Sequence, residues 1–273
     1  MKTLVLGGTG KTGRKVAQRL QARHADVRIG SRTASPAFDW EDPSTWNGAL
    51  EGIGQVYISY QPDLASPGAL EAVSTFTKIA SQTGVKKLVL LSGRGEAEAK
   101  QCEQVVMGSG LNWTIIRASF FNQNFSESFI VDSILAGYVM LPVGDVREPF
   151  IDTDDIADIA VAALTDEKHN GKLYEVTGSK LLTFREAVEE IAEASGREIV
   201  YQEITGDEYE AMLTKYQVPA NVISLLKYLF IEVLDGRNEY LSNGVEEALG
   251  RKPTDFSTFV KKAVQTGVWN QRE

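Results

Sequence analysis

Three glycines, Gly7, Gly10 and Gly13, stand at GxxGxxG spacing directly after the apolar run Thr3-Leu4-Val5-Leu6. A buried strand running into such a turn and then into a helix is a way of holding a pyrophosphate. Gly7 permits the tight turn, Gly10 lets the backbone approach the phosphates, and Gly13 lets helix and strand pack closely. The unpaired N–H groups of the helix's first turn, and its dipole, favour an anion there. The expected ligand is a dinucleotide. The same letters contain Gly10-Lys11-Thr12, the tail of the GxxxxGK[ST] loop of nucleoside triphosphatases. That loop needs a glycine five residues before its second glycine, and the position is Val5, inside the strand. No later run of four apolar residues ends in an aspartate for magnesium; Leu88-Val89-Leu90-Leu91 ends in Ser92-Gly93.

The second strand decides which dinucleotide. NAD is usually held by an acidic residue at that strand's end, on the ribose 2′-hydroxyl. Here the strand ends Gly30-Ser31-Arg32, and Asp26 lies at the opposite end. Arginine offers charge and a planar fork of donors, which suits a 2′-phosphate, so NADP(H) is expected over NAD(H). Phe38-Asp39-Trp40 falls where the chain passes the adenine: Asp39 is placed to accept from the amino group. Trp40 either walls the ring or packs in the core. Ser59-Tyr60-Gln61-Pro62 ends the next strand and is expected to line the ribose beside the nicotinamide.

These residues need a scaffold, and the hydropathy pattern predicts one. Strands are expected at 26–30, 55–60, 87–92 and 112–117, with helices at 11–24, 43–52, 67–83 and 96–109 between them. This alternation predicts an α/β fold, a Rossmann-type doubly wound parallel sheet. Beyond about residue 120 helices dominate, at 125–137, 153–165, 183–195, 207–216, 220–235 and 255–266, with short extended pieces at 138–141, 149–152 and 172–177. Thr183 and Glu186 have capping-box spacing. The expected organisation is an NADP-binding domain over 1–120 and a smaller, mostly helical substrate lobe over 121–273, interwoven with the first and partly returning to its sheet. The net charge of −9 and the single cysteine, Cys102, argue against nucleic-acid binding and for a reducing, cytoplasmic setting. Two histidines and one cysteine, far apart, predict no metal site. No apolar run approaches the ~18 residues of a membrane span, and the N-terminal run reads as a strand rather than a signal peptide.

Taken together, GGTGKTG at 7–13, GSR at 30–32, FDWEDPSTW at 38–46, KKLVLLSGRGE at 86–96, NWTIIRASFFNQNF at 112–125, FIDTDDIADIAVAAL at 150–164 and YEVTGSKLLTFREAVEEIA at 174–192 resemble the NmrA-like atypical short-chain dehydrogenases/reductases. The resemblance covers nearly the whole chain. It is strongest to the branch of ergot-alkaloid iminium reductases of the festuclavine dehydrogenase type and their bacterial relatives. It implies NADP(H) bound along the strand ends by Gly7, Thr9, Gly10, Lys11, Thr12, Ser31, Arg32, Asp39, Tyr60, Ser92 and the run Ala118-Ser119-Phe120, with Gly93 beside Ser92.

The chain departs from the superfamily at its centre. Conventional members pair a serine with YxxxK, the tyrosine acting as general acid. Ser92 stands where the serine belongs. Anchored on Glu103, the tyrosine and lysine positions are Gly95 and Ala99, and no tyrosine occurs between Ser92 and Glu103. Lys100 is one step off, about 100° round a helix. Two readings stay open. One is a reductase that passes hydride to a planar, electron-poor small molecule (an iminium, quinone or azo compound) without a tyrosine acid. The other is a non-catalytic NADP(H) sensor acting through a protein partner. Ser92, Arg94, Phe120, Phe121, Asn122 and Asn124 are the expected substrate contacts, with Tyr228 and Phe230 from the helical half. Core packing for Phe120-Phe121, an exposed loop charge for Arg94 and a solvated helix face for Lys100 and Glu103 are the plainer alternatives.

Overall fold

The structure, a computed structural model, describes residues 1–270; the last three residues of the expected substrate lobe lie outside the described residues. In chain order the first half runs β1 (Thr3–Leu6), α1 (Gly13–Ala22), β2 (Val27–Gly30), α2 (Trp46–Leu50), β3 (Gln55–Ile58), α3 (Ala69–Gln82), β4 (Lys87–Gly93), α4 (Ala97–Met107) and β5 (Asn112–Ala118). The second half runs α5 (Ile130–Leu135), β6 (Tyr138–Leu141), β7 (Arg147–Glu148), α6 (Thr153–Thr165), β8 (Lys172–Val176), β9 (Leu182–Thr183), α7 (Phe184–Ser195), β10 (Val200–Glu203), α8 (Gly206–Lys215), α9 (Ala220–Lys227), α10 (Gly244–Leu249) and α11 (Phe256–Thr266). The chain forms two compact units, Met1–Ala118 with Thr153–Val176 and Asn243–Lys252, and the remainder.

The first unit is built on one six-stranded parallel sheet in the order β2-β1-β3-β4-β5-β8, the doubly wound sheet expected from the sequence. The chain steps from β1 outward to β2, then crosses back to β3 and on to β8. The order therefore reverses between β1 and β3, the place where ligands bind in open α/β sheets. Leu4, Leu6, Val56, Ile58, Leu88, Leu90 and Ile115 are fully buried in its core, as strands covered on both faces require. Helix α6 opens with Thr153-Asp154-Asp155, and its acids are structural. Arg19 of α1 donates to Asp154 at 2.6 Å and to Asp158 at 2.8 Å, and Arg251 donates to Asp155 and Asp158, both at 2.7 Å.

The second unit packs Phe125, Phe150, Phe184, Phe230, Phe256 and Trp269 into an aromatic core. The capping box at Thr183 is present: its hydroxyl accepts from Glu186 N, and the Glu186 carboxylate accepts from Thr183 N.

Several expectations in this half are corrected. The helix expected at 125–137 is only α5; residues 122–125 form a 3-10 turn closed by Ser126 N donating to the Gln123 carbonyl. The helix expected at 220–235 is α9 followed by a π-helical turn at Tyr228–Val233, where Leu234 N reaches the Leu229 carbonyl. The extended piece expected at 149–152 is displaced to β7, with Ile151 making an isolated bridge to Phe121. Strand β10, which pairs in parallel with β6, and helix α10 have weak local patterns and owe their form to tertiary partners.

Candidate active site

At the switch point of the first unit the glycine turn has the geometry a phosphate needs. Gly7 has φ +63°, and Gly10 N donates to the Gly7 carbonyl at 2.8 Å, closing the turn before α1. A Cβ added to Gly13 would overlap the Gly7 carbonyl oxygen, and one added to Gly7 would come 3.1 Å from Ser59. So the turn after β1 and Ser59 after β3 meet across the crevice, as their places in sequence predict. Such a turn, tolerating no side chain, fits a bound dinucleotide backbone. Thr9 is exposed, and Gly10 and Lys11 are partly so. Thr12, in contrast, is buried at the start of α1, where its hydroxyl accepts from Tyr57 at 3.0 Å. Burial drives the Tyr57 phenol further up, so it stays neutral and the pair acts as an internal brace.

Ser31 is half-buried and Arg32 exposed just beyond β2. Asp39 turns one carboxylate oxygen onto Glu41 N at 3.1 Å, while its carbonyl accepts from the Trp46 indole at 2.6 Å. Trp40 packs edge-on against Phe38 with centroids 4.9 Å apart and lies tilted 4.8 Å from Tyr60, so it joins the aromatic cluster under this loop and remains partly exposed.

The end of β4 carries the largest departure from the plain readings. The Ser92 hydroxyl donates to Glu103 at 2.7 Å. Glu103 is fully buried rather than part of a solvated helix face, and Arg117 holds it through Nε at 2.9 Å and a terminal nitrogen at 2.5 Å. Arg94 is buried, not an exposed loop charge: its Nε lies 3.1 Å from Glu175, which also pairs with Arg117 at 3.3 Å. The Glu103 hydrogen bonds, partly offset by burial, raise the Arg117 guanidinium's affinity for its proton. Lys100 does sit exposed. Ala118, the last residue of β5, is buried, and its carbonyl accepts from Arg94 N at 3.0 Å. The role of Glu175 was hidden in sequence; its one signal is an acid between Tyr174 and Val176 inside strand β8.

In the second unit Ser119 donates to the Pro149 carbonyl at 2.6 Å, and Phe120 N donates to Glu148 at 3.0 Å. The Phe120 ring lies 5.2 Å from Phe184 and 5.8 Å from Phe230, so Phe120 and Phe230 share one cluster. Phe121 is half-buried and pairs with Ile151; Asn124 is half-buried and its carbonyl accepts from Ser128. Tyr228 is half-buried at the start of the π turn. Asn122 is fully buried, and among the described residues neither atom of its side-chain amide has a hydrogen-bond partner.

Residues 7–167 match a family model described as NAD(P)H-binding, and residues 97–260 match that of the NmrA-like family. The chain belongs to the NmrA-like family. Among curated proteins, this NmrA-like chain is 31% identical to "Prestalk A differentiation protein A" of Dictyostelium discoideum, over 96% of this chain and 92% of that one. It is 30% identical to "Agroclavine dehydrogenase" of Claviceps fusiformis over 100% of both chains. The NADPH-dependent quinone oxidoreductase QOR2 of Escherichia coli, solved with NADPH, shares the fold at a TM-score of 0.81 and 19% identity, over 96% of this chain and 99% of that one.

Proposed function

We propose that this NmrA-like protein is an NADPH-dependent reductase that delivers hydride to a planar, electron-poor small molecule needing no tyrosine acid. The observation that carries this reading is the state of Ser92. Its proton is committed to the buried Glu103 carboxylate, and Gly95 and Ala99 occupy the tyrosine and lysine positions. A hydroxyl so committed offers a ligand only its lone pairs. It can accept from an N–H or face a positively polarised carbon, and it is a poor proton donor. An iminium suits that setting best, because its charge is already present and hydride alone completes the reduction. The relative named agroclavine dehydrogenase agrees with hydride chemistry on a small molecule.

The Gly7–Gly13 turn, Ser31, Arg32, Asp39, Ser59 and Tyr60 hold the dinucleotide in this reading. Arg32, exposed directly after β2, is placed to pair with a 2′-phosphate. When bound, the reduced nicotinamide supplies the hydride. The chain's own residues supply position: Arg117 and Glu103 fix the Ser92 rotamer, and Arg94 with Glu175 fixes the turn after β4. The setting is a reducing, cytoplasmic one. Cys102 is buried, and burial with Glu103 nearby pushes its thiol up to about 11, which keeps it unreactive.

Stopped-flow mixing of protein and NADPH with a panel of iminium ions, quinones and azo dyes tests the reading. NADPH oxidation is expected, fastest with the iminium members. Oxidation no faster than without protein, across the whole panel, overturns it and favours the sensor.

A further inference from the structure

One pair of buried acids at the strand ends is used by no step above. Asp63 lies in the loop between β3 and α3, where it accepts from Ala65 N at 2.9 Å. Glu96 is the residue before α4, yet its side chain does not cap that helix. It folds back over the end of β4, so closely that a Cβ on Gly93 would overlap its carboxyl group. There it is hydrogen-bonded to the Asp63 carboxyl. An ionised carboxylate can only accept hydrogen bonds, so two carboxyls bond to each other only while one keeps a proton. Glu96 is buried and Asp63 half-buried, which leaves the proton a route to solvent through Asp63.

The charged groups acting on the pair, besides its own members, are Glu98 and Glu103, both acids on α4; the Cys102 thiol of the same helix is in turn pushed up by burial and by neighbouring acids, Glu96 among them. Arg94, two residues before Glu96, is turned to Glu175. Burial and the neighbouring acids push Glu96 well above the carboxylate range, and burial pushes Asp63 up as well.

We propose that Asp63 and Glu96 form a proton-dependent clamp that holds the loop 59–66, carrying Ser59 and Tyr60, against the end of β4. Loss of the shared proton leaves two adjacent carboxylates in a poorly solvated place, and the loop parts from β4. The clamp positions the loop whether or not cofactor is present. Its effect on cofactor binding rests on the reading of Ser59 and Tyr60 above.

Hydrogen exchange of the cofactor-free protein, read on peptides spanning 59–66, and NADPH affinity, read by fluorescence, are measured from about pH 6 to about pH 9. The wild type is compared with Glu96→Gln, Asp63→Asn and Glu96→Ala. In Glu96→Gln and Asp63→Asn an amide N–H donates to the remaining carboxylate at every pH, so no shared proton is needed. In the wild type, exchange corrected for its intrinsic pH dependence and the NADPH Kd are expected to rise together. The limiting slope is ~tenfold per pH unit, that of a one-proton linkage. Both amide variants should be flat, and Glu96→Ala should exchange fast throughout. A wild-type profile that is itself flat, or one that either amide variant reproduces, overturns the clamp. NADPH failing to bind the wild type at any pH overturns the functional reading instead, while the exchange profiles still decide the clamp.

Discussion

The Ser92 hydroxyl lies 2.7 Å from Glu103, eleven residues on, and donates a hydrogen bond to that buried carboxylate. With its hydrogen directed at Glu103, the Ser92 hydroxyl offers other groups only its lone pairs. Glu103 thereby has a structural part on a helix without the tyrosine and lysine: the carboxylate joins β4, α4 and, through Arg117, β5.

Removing Glu103 leaves the Arg117 charge without its main partner. Glu103→Ala is expected to destabilise by about 2–3 kcal/mol, below the range for a fully buried pair because Arg117 keeps Glu175 and some solvent. Ser92→Ala should cost about 1.5 kcal/mol, the low end for a hydrogen bond to a charged acceptor, because Arg117 still pairs Glu103. Urea titrations of both variants check the order.

Gly13→Ala places a methyl on the Gly7 carbonyl oxygen, so the turn itself must move. NADPH affinity should fall by more than about tenfold, with a stability loss of about 1–3 kcal/mol from overpacking. Fluorescence titration with NADPH and thermal unfolding separate the two effects. An unchanged affinity would show that the turn does not cradle the phosphates.

Arg32→Ala should weaken NADPH by about 10–100-fold, the range for a hydrogen bond to a charged group, and leave NADH nearly unaffected. Isothermal titration with both nucleotides measures this. Equal losses would show that Arg32 does not read the 2′-phosphate.

The buried, unpartnered amide of Asn122 is a cost to the fold. Asn122→Leu is expected to raise stability by about 1–3 kcal/mol by removing it. If the amide serves the substrate, KM should rise while kcat with a small, non-hydrogen-bonding acceptor holds. Loss of stability in this variant would mean that water or ligand already satisfies the amide.

Asp255 caps α11. Burial alone would push its carboxyl up, but hydrogen bonds from Ser257 and Ser179, with Lys180 nearby, outweigh it and hold the group down to about 2. Its folded value lies below its unfolded one, near ~3.9, so its contribution is present above about pH 4 and is lost as pH falls towards 2. Asp255→Asn should be less stable than the wild type at neutral pH and converge with it in that window. The effect is small, because the side chain is 39% exposed. Acid unfolding followed by circular dichroism checks it.

The sequence by itself determined the parallel sheet, the turn after β1 and the ends of β2 and β3. In each, one short segment carries the whole signal: an apolar run, glycines at fixed spacing, or a charge directly after a strand. The capping box at Thr183 was equally legible, because its partners are three residues apart. Tertiary structure alone decided the fate of the charges after β4. Glu103, Arg117, Glu175 and Arg94 come from α4, β5, β8 and the turn between β4 and α4, and Asp63 meets Glu96 from another loop. A charged residue looks the same in sequence whether it is solvated or buried. Only the packing of distant strands fixes its dielectric surroundings and its partner, and hence whether it keeps its proton or orients a neighbour.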